Sequence, residues 1–326
     1  MMNNYYLIDK TRAVLSVMIV ILHSSPITKI DTVNGIIAAF CNLAVPMFFA
    51  FSGFFFYNKK LGSFISRLLK LYLFWLIIQF PLLLPRYSGL TITEAIQQTV
   101  FSSSYPVSWY LISLLWCGCI LKFLEFLKTP HWGILLIAIF LYIMCISDSS
   151  YKSIFLETSL YHINNAYKYI FRTIQWSFPQ GLLFFCIGYY LRIIKRNIER
   201  MTSIYLSICI SLIGLTMYGI EYYFISNTIA KDCSVLFSIP FVVYGLFRMI
   251  LHLCKPTPHS SEGKKLRQIS SLMYLSHPMI MAVLYKLFSF IGLARLIWTL
   301  LLFIPICYLY FFLLKKKNFS WLKYVC

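Results

Sequence analysis

Ionisable side chains set inside long apolar runs are the residues of this sequence that call for chemistry, because a charge near the centre of a bilayer costs about 2.5–3.5 kcal/mol on insertion scales. Four places qualify: Asp9, Arg12 and His23 in the first apolar run, Glu221 late in the seventh, His277 in the ninth, and Arg67 with Lys70 leading into the third. Asp9 and Arg12 are three residues apart, so a helix puts them on one face, where they can pair either as an interfacial anchor or as part of a site. His23 lies 11 residues beyond Arg12, close to three turns and ~16 Å along the axis, so it faces the same way at greater depth. An imidazole there is either a hydrogen-bonded structural residue or the group best suited to take a proton near neutral pH. Glu221, at a similar depth, either orients that imidazole or extends to the outer surface. His277 precedes Pro278, which loosens the helix before it. His131, His252 and His259 read as interfacial or solvated. Arg67 and Lys70 make a small basic face; arginine grips phosphate bidentately and lysine acts as a point charge, although such a pair also serves simply to anchor a helix.

The elements that must position these residues are apolar helices. The chain has 326 residues, 60% hydrophobic and 12% charged, with a mean hydropathy of +0.76. That composition excludes an ordinary soluble enzyme. Ten apolar runs, at about 7–26, 35–57, 71–85, 108–127, 132–147, 173–191, 203–224, 235–254, 270–290 and 294–314, predict an all-α polytopic membrane protein of about ten transmembrane helices. The third and fifth runs are short and interrupted. Alternate connections collect most of the Lys and Arg, among them Lys59 and Lys60, Lys122 and Lys128, Arg192 to Arg196, Lys255 to Arg267, and Lys315 to Lys317. By the positive-inside rule both termini are cytoplasmic, in a cell inner membrane. The net charge of +19 is thereby explained by topology and anionic lipid, with no nucleic-acid partner. No gap between runs is long enough for a soluble core, so residues 1–326 read as one transmembrane domain. The connection from Lys255 to Gln268 reads as a polar loop, and the stretch from Tyr151 to Tyr169, rich in Tyr and Asn, as a segment along the outer interface.

The ten cysteines fall mostly within apolar runs and read as small buried hydrophobes, with no disulfide framework. The first run lacks a cleavage pattern, which argues against a signal peptide. Phosphate-loop, serine-hydrolase and metal-binding motifs are absent from the sequence, and no metal is expected. Ser52 and Gly53, in a run of alanine and phenylalanine, permit either close helix approach or a narrow ligand passage.

Taken in order, several segments resemble the acyltransferase-3 family of membrane proteins. They are Ile8-Asp9-Lys10-Thr11-Arg12-Ala13 followed by His23; the run from Ala44 to Phe54; Arg67-Leu68-Leu69-Lys70; Ser108-Trp109-Tyr110-Leu111; Phe184-Phe185-Cys186-Ile187-Gly188; and Ser271 to His277. Members typically carry acyl groups, often acetyl from acetyl-CoA, to hydroxyls of envelope polysaccharides and related exported molecules. The resemblance implies that His23 is the catalytic histidine, that Arg12 supports it or the donor, and that the basic pair contacts the coenzyme. Where the family usually has Arg-x-x-Arg, this chain has Arg67 and Lys70. It further implies that Ser52 and Trp109 shape the passage for the pantetheine arm. The expected activity is thus an acyl-CoA-dependent O-acyltransferase, with Asp9 and Glu221 supporting His23, and membrane lipid, acyl-CoA and a glycan hydroxyl as partners. The segment from Glu221 to Leu246 is also similar to the membrane half of vancomycin-resistance serine racemases, which implies the alternative of a transporter for a small polar solute such as serine.

Overall fold

The structure is a computed structural model that describes residues 5–102, 107–201, 204–230, 233–254 and 261–324. His259 and the rest of 255–260 lie outside the described residues, as do the side chains of Lys195 and Arg196. The chain is an all-α membrane protein with no strand among the described residues. Its helices are α1 (Tyr6–Ser24), α2 (Asp31–Asn42), α3 (Ala44–Phe56), α4 (Leu61–Tyr87), α5 (Ile92–Gln97), α6 (Trp109–Phe126) and α7 (His131–Asp148). They continue as α8 (Lys152–Phe155), α9 (Ser159–Phe171), α10 (Phe178–Met201), α11 (Ile204–Thr228), α12 (Ile239–Leu253), α13 (Ser261–Phe288) and α14 (Gly292–Leu314).

Among the described residues, six helical stretches are long and apolar enough to cross a membrane, the first being α2 and α3 taken together over Asp31–Phe56. Neither α1 nor α13 is one of the six. Both helices carry several charges in their first two turns: Asp9, Lys10 and Arg12 in α1, and Glu262, Lys264, Lys265 and Arg267 in α13.

Three boundaries differ from the sequence reading. The third run lengthens into α4 of 27 residues, because its basic first half is still a good helix former and Pro81 and Pro85 each remove only one backbone hydrogen bond. The polar loop after Lys255 is already helical from Ser261, so α13 is 28 residues long and runs straight through Pro278. The stretch 151–169 contains α8 and most of α9, and α9 is tied down by buried Asn164, whose amide donates to Ser147 Oγ at 2.8 Å.

The core sits around α3, whose phenylalanines 49, 51, 54 and 56 are almost fully buried. The helix meets α10 at backbone distance. A Cβ added to Gly53 would lie 1.9 Å from the Phe185 carbonyl oxygen, and one added to Gly188 would lie 1.7 Å from that of Ala50. Gly53 therefore serves close helix approach. Against α3 lies α1, which also packs along α13. Two polar contacts join α1 to α13 between Arg12 and His23: Ser270 Oγ donates to the Arg12 carbonyl at 3.0 Å, and Ser16 Oγ to Met273 Sδ at 3.6 Å. All nine described cysteines are free.

Candidate active site

His23 occupies the last turn of α1, and its Nδ1 is 3.0 Å from the Ile19 carbonyl. A carbonyl only accepts, so Nδ1 carries the proton. His277, 1% exposed on α13, uses the same device: its Nδ1 donates to the Met273 carbonyl at 3.0 Å. In the neutral ring this leaves a lone pair on His277 Nε2, which stands 3.2 Å from His23 Nδ1 and shares its proton. The ring centroids are 5.1 Å apart, with the planes inclined by 38°. One nitrogen of the pair is left over for chemistry, Nε2 of His23, and among the described residues it makes no hydrogen bond. His23 is exposed, and what it faces is a cavity of about 420 Å³. Asn42, Arg86, Trp109, Trp176 and Gln180 share the wall with it.

At the other end of α1 the chemistry is cationic. Asp9 is fully buried, and one of its oxygens pairs with Arg267 of α13 at 2.6 Å. The expected pairing with Arg12 is therefore replaced by one with a residue 258 positions away. Arg12 instead lies over the rings of Phe55 and Phe51, at 5.1 and 5.8 Å, and its Nε has no partner among the described residues. In the connection between α3 and α4, burial pushes the Lys59 ammonium down to about 8, and the nearby charges of Arg67, Arg12 and Arg267 add to the effect. Four cations thus share one electrostatic neighbourhood whose buried carboxylate, Asp9, is already taken. Such a place favours an added polyanion.

Between the two ends runs a chain of polar and aromatic contacts. Ser52 Oγ and Tyr110 Oη are 2.8 Å apart; the Tyr110 ring is 5.5 Å from Tyr274, and the Tyr274 ring is 6.3 Å from His277. Tyr110 also lies within electrostatic reach of Arg12 and Arg67.

A family model for an acyltransferase domain, that of acyltransferase-3, matches residues 5–315. The chain belongs to the acyltransferase-3 family. Curated proteins and solved structures supply no match. It is a membrane O-acyltransferase. His23 and His277 come together. Arg12, Asp9 and Arg67 gather at the cationic end, and Ser52 lies on the path between the ends. Lys70 is exposed on α4, one turn from Arg67. Trp109, expected on the passage for the pantetheine arm, is the first residue of α6 and lines the cavity at His23.

Glu221 stands apart from the acyltransferase's histidine pair. Its carboxylate accepts from the Tyr151 hydroxyl at 2.5 Å and from the backbone N–H groups of Phe237 and Ser238, both at 2.8 Å. It therefore ties α11 to the start of α12 and satisfies donors that would otherwise be orphaned. Replacing Glu221 with Gln forfeits charge-assisted bonds. Stability measured by denaturation in detergent should fall by about 1–3 kcal/mol, while the rate per folded molecule falls far less than for changes at His23.

Two partners were not legible from local spacing. Arg267 is the ion-pair partner of Asp9. Arg295 of α14 donates from Nη2 to the His23 carbonyl at 2.8 Å and to that of Ser25 at 3.5 Å, closing the C-terminal end of α1. Both cations look, in sequence, like ordinary helix-end charges.

Proposed function

We propose that this acyltransferase moves an acyl group, acetyl in the first instance, from acyl-CoA on the cytoplasmic side to a hydroxyl of an envelope glycan or related exported molecule on the other. The reading takes both termini as cytoplasmic, with ten helical passes, in an inner membrane. One observation carries it: the Nδ1 protons of both histidines are committed to backbone carbonyls, leaving a lone pair on Nε2 of a histidine that opens onto a cavity. The donor's phosphates suit the cluster of Lys59, Arg67, Arg12 and Arg267, where one more anion relieves repulsion among four cations. Lys70 extends the same basic face.

In the reaction His23 Nε2 takes the proton of the acceptor hydroxyl as that oxygen attacks the acyl carbonyl. The new C–O bond forms, the C–S bond breaks, and the imidazolium returns its proton to the departing thiolate. His277 Nε2 accepts the Nδ1–H of His23 throughout, so the charge that develops on His23 meets a lone pair and not hydrocarbon. Asp9 contributes through Arg267, which it holds in place.

The donor site is tested by titrating purified protein with acetyl-CoA. Arg67→Gln removes a charge-assisted contact worth about 1.5–3 kcal/mol, so Kd rises about 10–100-fold. Affinity also falls as pH rises through about 8, because Lys59 then loses its proton, and Lys59→Gln flattens that dependence. Unchanged affinity in Arg67→Gln would place the coenzyme elsewhere.

A further inference from the structure

The cavity at His23 is charged on one side only. Arg86, in the last turn of α4, lines it; among the described residues no aspartate or glutamate does. Three acids of other segments are already engaged. Asp148 pairs with Lys168 at 2.7 Å, Glu94 accepts from the Thr91 backbone at 2.9 Å, and Glu221 holds the start of α12. The next cation, Arg295, spends Nη2 on the carbonyls of α1. Arg86 is exposed, and no carboxylate among the described residues lies within ion-pair distance of it. A cation at a helix C-terminus is favoured by the helix dipole alone. That accounts for a basic residue there but not for one set on the wall of a cavity with no counter-charge.

The same wall carries Trp176, 52% exposed, whose backbone sits in the left-handed region at φ 59°. A non-glycine residue rarely adopts that conformation. Its backbone N–H donates to Gln180 Oε1 at 2.9 Å, which joins the main chain at Trp176 to another residue of the same wall. An exposed indole on a cavity wall is a flat apolar platform, and the Asn42 amide and the Gln180 NH2 on the same wall are groups of the kind that meet hydroxyls.

We infer that the acceptor is itself anionic: a hydroxyl-bearing molecule whose carboxylate or phosphate is taken by Arg86, with an apolar face against Trp176 and a hydroxyl at Nε2 of His23. The inference rests on the reading of His23 as the base that faces the acceptor. It adds a selectivity that the base alone does not impose, since a neutral glycan offers hydroxyls but leaves Arg86 without a counter-ion.

The test uses the full chain in detergent, with intrinsic tryptophan fluorescence as the readout and three probes: tetragalacturonate, a glycerol-phosphate trimer and neutral maltotetraose. At low salt at least one anionic probe should bind about tenfold or more tightly than maltotetraose, and which one does so separates carboxylate from phosphate. Arg86→Gln should abolish the preference and Arg86→Lys keep part of it, with thermal unfolding confirming that both variants fold. The inference is overturned if maltotetraose binds as well as the anions, if no probe binds, or if the preference survives in Arg86→Gln. His23→Ala separates the two readings. Transfer that persists without His23 refutes the base while an anion preference still stands; a dead His23→Ala variant whose parent protein prefers maltotetraose refutes the anionic acceptor alone.

Discussion

Replacing His23 with alanine should remove about 10²–10⁴-fold of the transfer rate, the usual contribution of a positioned general base, while acetyl-CoA affinity changes little. The loss is large because no other group on the cavity wall can take its place. Tyr274 spends its hydroxyl on the Val107 carbonyl at 2.8 Å, Cys41 is 4% exposed, and Arg86 is a permanent cation. Donor binding survives because the cations lie toward the other end of α1, 11 residues from His23. Release of free thiol with and without acceptor, alongside calorimetric titration of acetyl-CoA, separates the two quantities. A variant that keeps more than a small fraction of the rate would mean the imidazole is structural.

The second large effect is at His277. In the transition state its Nε2 accepts a hydrogen bond from a positively charged imidazolium, and such a bond contributes about 1.5–3 kcal/mol, or roughly 10–100-fold in rate. His277→Ala should therefore lower kcat by that factor with KM for the acceptor nearly constant, since the residue is 1% exposed and does not line the cavity. His277→Asn, whose amide oxygen can still accept from Nδ1 of His23, should recover part of the loss. A change confined to KM, or identical rates for the two variants, would reduce His277 to a packing residue.

What could be read from the sequence follows from the range of the interactions involved. The register of Asp9, Arg12 and His23 along α1 is local, set by helix geometry. The partners are not local. Asp9 meets Arg267, and His23 meets His277, 254 residues away, because α1 lies along α13, and nothing in either helix alone announces that packing. Glu221 shows the complementary failure. Hydropathy gives a residue's depth along a helix but not its azimuth, so a carboxylate at the depth of His23 looked like a partner; the packing of α11 on α12 turns it to the Ser238 amide instead. In α4 the prolines suggested an interruption, but a helix embedded among others tolerates the loss of two hydrogen bonds.

Proteoliposomes with the protein inserted in one orientation, acetyl-CoA confined to the face bearing Arg67 and a hydroxyl acceptor confined to the face bearing the His23 cavity, test the central claim most directly. If one imidazole serves reactants that arrive from opposite sides, free CoA accumulates on the first face and acylated acceptor on the second, and exchanging the two compartments stops the reaction. Transfer that proceeds only when both reactants share one face would contradict it.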